Sequence, residues 1–142
     1  MGQKVVVFGL GIISLSIVQF AKLAGAQICA IDLVEQRLGL AKQLGADKTL
    51  NASIGGSNLD LIISQWNKGY VDSVFEAVGV PSVQEQALLI VKPGGKVILV
   101  GQSVNPMRLS SFFATQKEIE IIGSLACLLD FPTVIDLLDR AL

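Results

Sequence analysis

Within its first 32 residues the chain breaks an apolar run, Lys4-Val5-Val6-Val7-Phe8, at Gly9-Leu10-Gly11. It then runs into a helical pattern from Ile12 and closes the next apolar run on Asp32. No other feature restricts the fold as much, because this order writes a strand, a tight glycine turn, a helix and a second parallel strand. Gly9 permits the sharp turn off the strand. Gly11 lets backbone N–H groups at the start of the helix approach a pyrophosphate. Asp32, roughly twenty residues beyond the glycines, is placed to accept hydrogen bonds from an adenosine ribose. Ser14 stands where the dinucleotide-binding fingerprint expects its third glycine.

Competing readings of this opening are weaker. A secretory signal would follow Lys4 with a clean apolar core, but the two glycines, Ser14, Ser16 and Gln19 interrupt it. A membrane span needs about 20 mostly apolar residues, and this run is shorter and punctuated. Gly2 is a poor myristoylation site, since Val6 occupies the position where Ser or Thr is wanted.

The 142 residues suffice for one domain with a substantial core. Hydrophobic residues make up 51% and charged residues only 16%, a balance suited to a sheet covered on both faces by helices, with some surface left for another domain or subunit. The formal net charge of −1 has no basic cluster behind it, which argues against nucleic acid and anionic membranes. Histidine is absent, so most zinc sites and any histidine-based acid–base chemistry are excluded from this chain's own residues. Cys29 and Cys127 lie in separate apolar runs and read as reduced thiols of a cytoplasmic protein, Cys127 in a core or interface.

Strand and helix patterns alternate along the chain. Strands are expected at 4–8, 27–31, 48–50, 71–77, 96–100 and 118–124. The first helix, 12–23, shows an apolar face at Ile13, Ile17, Phe20 and Leu23 or Ala24 and ends at Gly25. Others are expected at 35–44 (closed by Gly45), at 59–67 (capped by Ser57 or Asn58), at 81–91 (opened by Pro81) and from Pro132 onward behind Asp130. Residues 105–115 read as loop with at most one helical turn. Right-handed crossovers then favour an α/β fold with a doubly wound parallel six-stranded sheet of order 3-2-1-4-5-6. In that order Gly9, Asp32, Val78-Gly79 and Gly101 fall on one rim, at the carboxyl ends of the strands.

Several stretches carry a resemblance. Gly9-Leu10-Gly11-Ile12-Ile13-Ser14, Ala41-Lys42-Gln43-Leu44-Gly45-Ala46-Asp47, Phe75-Glu76-Ala77-Val78-Gly79, Lys92-Pro93-Gly94-Gly95-Lys96 and Val100-Gly101 occur in the order seen in zinc-type medium-chain alcohol dehydrogenases. Nearly the whole chain, 1–142, resembles their cofactor-binding Rossmann domain. The resemblance implies NAD as cofactor and, in a parent protein, hydride transfer between NAD and an alcohol or polyol and its carbonyl. It also implies a separate catalytic, GroES-like domain that carries the zinc and the substrate, with no catalytic or metal residue in this segment, so that the segment by itself would be inactive. Carried over residue by residue, Gly9, Gly11, Ile12 and Ile13 would face the pyrophosphate. Asp32 would hold the adenosine ribose, with Arg37 at its edge. Val78, Gly79, Val100, Gly101 and Gln102 would line the nicotinamide half, with Ser124 near the carboxamide. The family also joins two sheet edges about a two-fold axis, which implies a homodimer through 119–127.

Plainer roles compete at each position. Asp32 could simply cap the helix that follows it. Its carboxylate would repel the 2′-phosphate of NADP, whereas Arg37 could reach one. Gly79 and Gly101 could be turn residues only, and Trp66 and Tyr70 could close a helix–strand turn. Glu76, inside an apolar strand, needs a partner, and an ion pair is the expected one. Ser14 in the third glycine slot carries a packing cost of about 1 kcal/mol. Two other functions share parts of the pattern: an NADP-dependent, zinc-free quinone or enoyl reductase and a non-catalytic nucleotide-sensing module. A methyltransferase would want a seventh, antiparallel strand.

Overall fold

A computed structural model describes residues 2–55, 63, 65–66, 71–125, 132, 135–136 and 139. Six strands, β1 (Lys4–Phe8), β2 (Gln27–Asp32), β3 (Lys48–Asn51), β4 (Ser73–Glu76), β5 (Lys96–Leu99) and β6 (Glu120–Gly123), form one sheet in the order β3-β2-β1-β4-β5-β6. Every neighbouring pair is parallel. The α/β architecture and strand order expected from the sequence are therefore present.

Alternation along β1 explains the two-sided core. Val5 and Val7 pack on one face with Ile28, Ala30 and the helices α1 (Ile12–Leu23) and α2 (Glu35–Gln43). Val6 and Phe8 pack on the other face with Cys29, Ile31, Val74 and Leu88. Leu88 belongs to α4 (Pro81–Ile90), which follows the short helix α3 (Ala52–Gly55) in sequence. Covered on both sides, β1 and β2 carry continuous apolar runs rather than a polar–apolar alternation.

Three local expectations are corrected. On α1 the inward residues are Ser14 and Val18, while Ile13, Phe20 and Leu23 are exposed. Apolar residues lie all round this helix, so periodicity alone could not choose the buried face. Ser14, in the third glycine slot, is 1% exposed; the helix therefore approaches the sheet where the fingerprint places its close contact. The stretch 105–115 holds the start of a real helix, α5 (Ser111–Lys117), whose Ser110 Oγ accepts the Phe113 N–H. Glu118 adopts a left-handed conformation (φ 50°) that ends α5, so β6 begins at Glu120.

The expected helix over 59–67 and the last helix from Pro132 fall largely outside the described residues, as do Tyr70 and Cys127. Trp66 is described, and it packs against the core cluster that includes Val6, Ile31, Val74 and Leu88. Cys29 is a free, buried thiol. Desolvation pushes its pKa up to about 12, against a lowering by the Lys48 charge, which keeps it in the unreactive protonated form. Among the described residues no helix is long and apolar enough to cross a membrane.

Candidate functional site

The carboxyl rim of the sheet is where the backbone leaves regular structure. Phe8 pairs with Ile31 on one side and Glu76 on the other, and Glu76 pairs with Leu99. Gly9, Asp32, Val78-Gly79 and Gly101 therefore emerge side by side, as the strand order implied. Gly9 has φ 77°, and a Cβ there would lie 2.7 Å from Val78 Cγ2. The turn after β1 thus presses against the turn after β4, with no room for a side chain. Its backbone is fixed by the Gly9 N–H, which donates to Ile31 O at 2.8 Å.

Gly11 is the N-cap of α1, and the first helical bond runs from the Leu15 N–H to Gly11 O at 3.0 Å. The amides of Ile12 and Ile13 precede that bond and add to the positive end of the helix dipole. Gly11 has φ −74°, and a Cβ there would meet nothing within 4 Å. Neither its backbone nor its protein neighbours require glycine. The space above it is open.

Asp32 ties this loop to the next one. Its Oδ2 accepts the Leu10 N–H at 2.6 Å and its Oδ1 accepts the Val34 N–H at 2.9 Å. Arg37 Nη1 stands 3.8 Å from Oδ2. Capping of α2 falls to Val34 rather than Asp32; the aspartate braces the residue that opens the helix. A carboxylate has about four acceptor positions, so two backbone bonds leave capacity for further donors. The side chain is nevertheless almost buried, at 7% exposure.

Gly9, Gly11, Asp32, Arg37 and Val78 line one cleft of about 400 Å³. Sequence reasoning missed Leu33, Val34, Ala52, Val83 and Gln86, which complete its walls. Four of those five are ordinary apolar residues on loops or in the first turn of a helix, and only the fold brings them to the rim. The remaining expected site residues, Ile12, Ile13, Gly79, Val100, Gly101, Gln102 and Ser124, lie outside the cleft wall. Gly79, Gly101 and Gln102 are in close contact with one another: a Cβ on Gly79 would sit 2.4 Å from Gln102 O, and one on Gly101 would sit 2.2 Å from Gly79 N. Ser124, just past β6, donates its N–H to Leu99 O.

Glu76 corrects another expectation. It forms no ion pair among the described residues. It is wholly buried, and its Oε1 accepts the N–H groups of Val78 at 2.7 Å and Gly79 at 2.9 Å. The partner that a buried acid requires is supplied by the turn that follows it. Its Oε2 is buried without a hydrogen bond.

Comparison with known proteins decides the family. The sequence model described as zinc-binding dehydrogenase matches residues 12–140. The chain belongs to the zinc-binding dehydrogenase family. It is 32% identical to Alcohol dehydrogenase-like 5 of Arabidopsis thaliana over 95% of its own length and 37% of that relative's. Among solved structures it is similar to an alcohol dehydrogenase from E. coli CFT073 complexed with NADH, with 31% identity, a TM-score of 0.84 and coverage of 99% of this chain and 41% of that one. A zinc-binding dehydrogenase from Sinorhizobium meliloti bound to NADP is similar at 26% identity and a TM-score of 0.88, over 99% of this chain and 42% of the other. The chain therefore corresponds to the Rossmann-type domain of zinc-type medium-chain alcohol dehydrogenases and spans about two fifths of the length of such proteins. Among the described residues no three His, Cys, Asp or Glu side chains group as a metal site.

Proposed function

We propose that this domain binds NAD across its carboxyl rim and serves an alcohol or polyol dehydrogenase activity. The open space over Gly11 is the observation that carries the reading. It lies at the positive end of α1, beside a cleft walled by Gly9, Asp32 and Arg37, and a pyrophosphate needs that combination of dipole, exposed amides and missing side chain. In this reading Gly9, Gly11, Ile12 and Ile13 hold the pyrophosphate, and Asp32 accepts the adenosine ribose hydroxyls with its unused lone pairs. Val78, Gly79, Val100, Gly101, Gln102 and Ser124 border the nicotinamide half. The nicotinamide supplies a hydride acceptor, while this chain's residues bind and orient it. Substrate and zinc would be held by residues outside this segment, in a separate catalytic domain.

NAD is favoured over NADP because the Asp32 carboxylate stands where a 2′-phosphate would come, and like charges at short range repel. Arg37 does not reverse this, since its nearest guanidinium nitrogen already faces Asp32. Cytoplasmic placement belongs to the same proposal and rests on the buried free thiol of Cys29. So does a homodimer through 119–127. Among the described residues β6 is the last strand at its edge of the sheet, and all four of its residues are exposed, Ile121 and Ile122 among them. Ile121→Lys should elute as monomer on sizing where the parent protein elutes as dimer, and an unchanged elution volume refutes the interface.

Calorimetric titration of Gly11→Ala tests the binding site. The substitution fills open space at an ordinary backbone conformation, so stability should change by no more than about 0.5 kcal/mol, while NAD affinity falls by about tenfold or more. Equal NAD affinity in both proteins defeats the assignment, and tighter binding of NADP than NAD by the parent protein overturns the role given to Asp32.

A further inference from the structure

Both turns that border the proposed nicotinamide half are anchored to one buried residue. Glu76 Oε1 accepts the N–H groups of Val78 and Gly79 in the turn after β4. The main-chain oxygen of the same residue accepts the N–H groups of Val100 and Gly101, each at 2.8 Å, in the turn after β5. Buried Gln84, on α4, completes the arrangement from the other side: its Nε2 donates to Gly101 O at 3.3 Å. The two turns then touch so closely that neither Gly79 nor Gly101 has room for a Cβ.

We propose that Glu76 is a positioning residue that sets the shape of the nicotinamide side of the site, with Gln84 as its second brace. The inference rests on the NAD-binding reading and deepens it. With pyrophosphate at the β1–α1 turn and ribose at the end of β2, the second mononucleotide must extend across β4 and β5, where these turns stand. A buried acid is costly to keep when only one of its oxygens is used. Glu76 Oε2 has no hydrogen bond, so what the site draws from the side chain is the single acceptor Oε1 serving two turn amides. An amide oxygen could do the same work; an alkyl side chain could not. The side-chain hydrogen bonds of Glu76 go to Val78 and Gly79, not to Asp32 or the Gly9 turn, which frame the adenosine half.

The test compares NADH with ADP, which carries only the adenosine diphosphate portion, in the intact protein and its Glu76→Leu, Glu76→Gln and Gln84→Leu variants. Affinities are read by calorimetry and by the fluorescence of bound NADH, with circular dichroism as a check on folding. Glu76→Leu should weaken NADH by roughly tenfold or more and leave ADP within about twofold, since the two turn amides lose their only shared acceptor. Glu76→Gln should restore NADH to within about threefold of the parent protein. Equal losses for NADH and ADP would make Glu76 merely structural, and a glutamine variant as weak as the leucine variant would refute the single-acceptor role. Should Glu76→Leu fail to fold, Gln84→Leu carries the same comparison at the second turn, and unchanged NADH binding there overturns the proposal. A parent protein that binds ADP but shows no added affinity for NADH defeats the inference alone. One that binds neither nucleotide defeats the NAD-binding reading beneath it.

Discussion

The two rims of the sheet use the same chemical device to opposite ends. At the amino rim, Asp47 accepts the Ile28 N–H and pairs with Lys22 at 2.7 Å, while Asp72 accepts the Lys4 N–H and pairs with Lys92 at 2.5 Å. At the carboxyl rim, Asp32 and Glu76 also accept backbone N–H groups, yet among the described residues Glu76 has no ion pair and Asp32 only a longer one. Arg37 stands 3.8 Å from Asp32 and is half-exposed. The amino-rim acids each pair with a lysine at the protein surface. Those at the carboxyl rim brace glycine turns beside an open cleft and keep acceptor capacity in reserve. A carboxylate paired closely with lysine fastens a sheet edge; one held mainly by backbone amides can shape a ligand site.

Glycine substitution should separate the rims most sharply. Gly101→Ala would place a Cβ 2.2 Å from the Gly79 nitrogen, backbone against backbone, and should cost about 3 kcal/mol or more in urea denaturation. Gly94, before β5 at the amino rim, has φ 68° with nothing near its Cβ position, so Gly94→Ala should cost only about 1 kcal/mol for the left-handed conformation. Equal costs would erase the distinction between the tightly packed Gly101 turn and the open Gly94 turn.

Asp72→Asn probes the amino rim. It removes an ion pair and weakens the bond to the Lys4 N–H, so stability should fall by about 1–2 kcal/mol. NAD affinity should stay the same, because this rim lies at the opposite end of the strands. A parallel loss of NAD binding in calorimetry would show that the rims are coupled.

The smallest effect is expected from pH. Partial burial of Asp47 and Asp72 opposes their ionisation, but hydrogen bonds from Lys22 and Lys92, backbone N–H groups and the lysine charges outweigh it. Both carboxyls are held below their ordinary value. A group whose folded pKa is depressed contributes stability above its unfolded pKa, about 3.9 for Asp, and loses it as pH falls through the folded value. Urea midpoints should therefore drop below about pH 4, and the Asp47→Asn/Asp72→Asn double variant should show a shallower drop. Identical acid limbs would refute the part given to these two acids.

Much of this molecule can be read from local pattern. Gly9, Gly11 and Asp32 announce the first βαβ unit, and alternation of apolar runs with helical stretches yields the strand order, because φ/ψ preference and side-chain period act within a few residues. The site was harder to read. The place of Asp32 on the rim was legible but its bracing of Leu10 and Val34 was not, and Ala52 and Val83 gave no signal before folding gathered them. The buried face of α1 was misread because Ile13, Phe20 and Leu23 are as apolar as the residues that point inward. α5 was missed because its only clear marker is the single cap residue Ser110.

Sequence by itself determined the sheet order, the rim at which glycines and Asp32 meet, and the family to which the chain belongs. Tertiary structure alone decided what Glu76 does. From sequence it is an acid in an apolar strand, in need of some partner. Register places it level with Phe8 and Leu99, and the turns that follow β4 and β5 then bring four N–H groups to its two ends. Burial made a partner compulsory; only the fold could determine that the partner is backbone rather than a basic side chain.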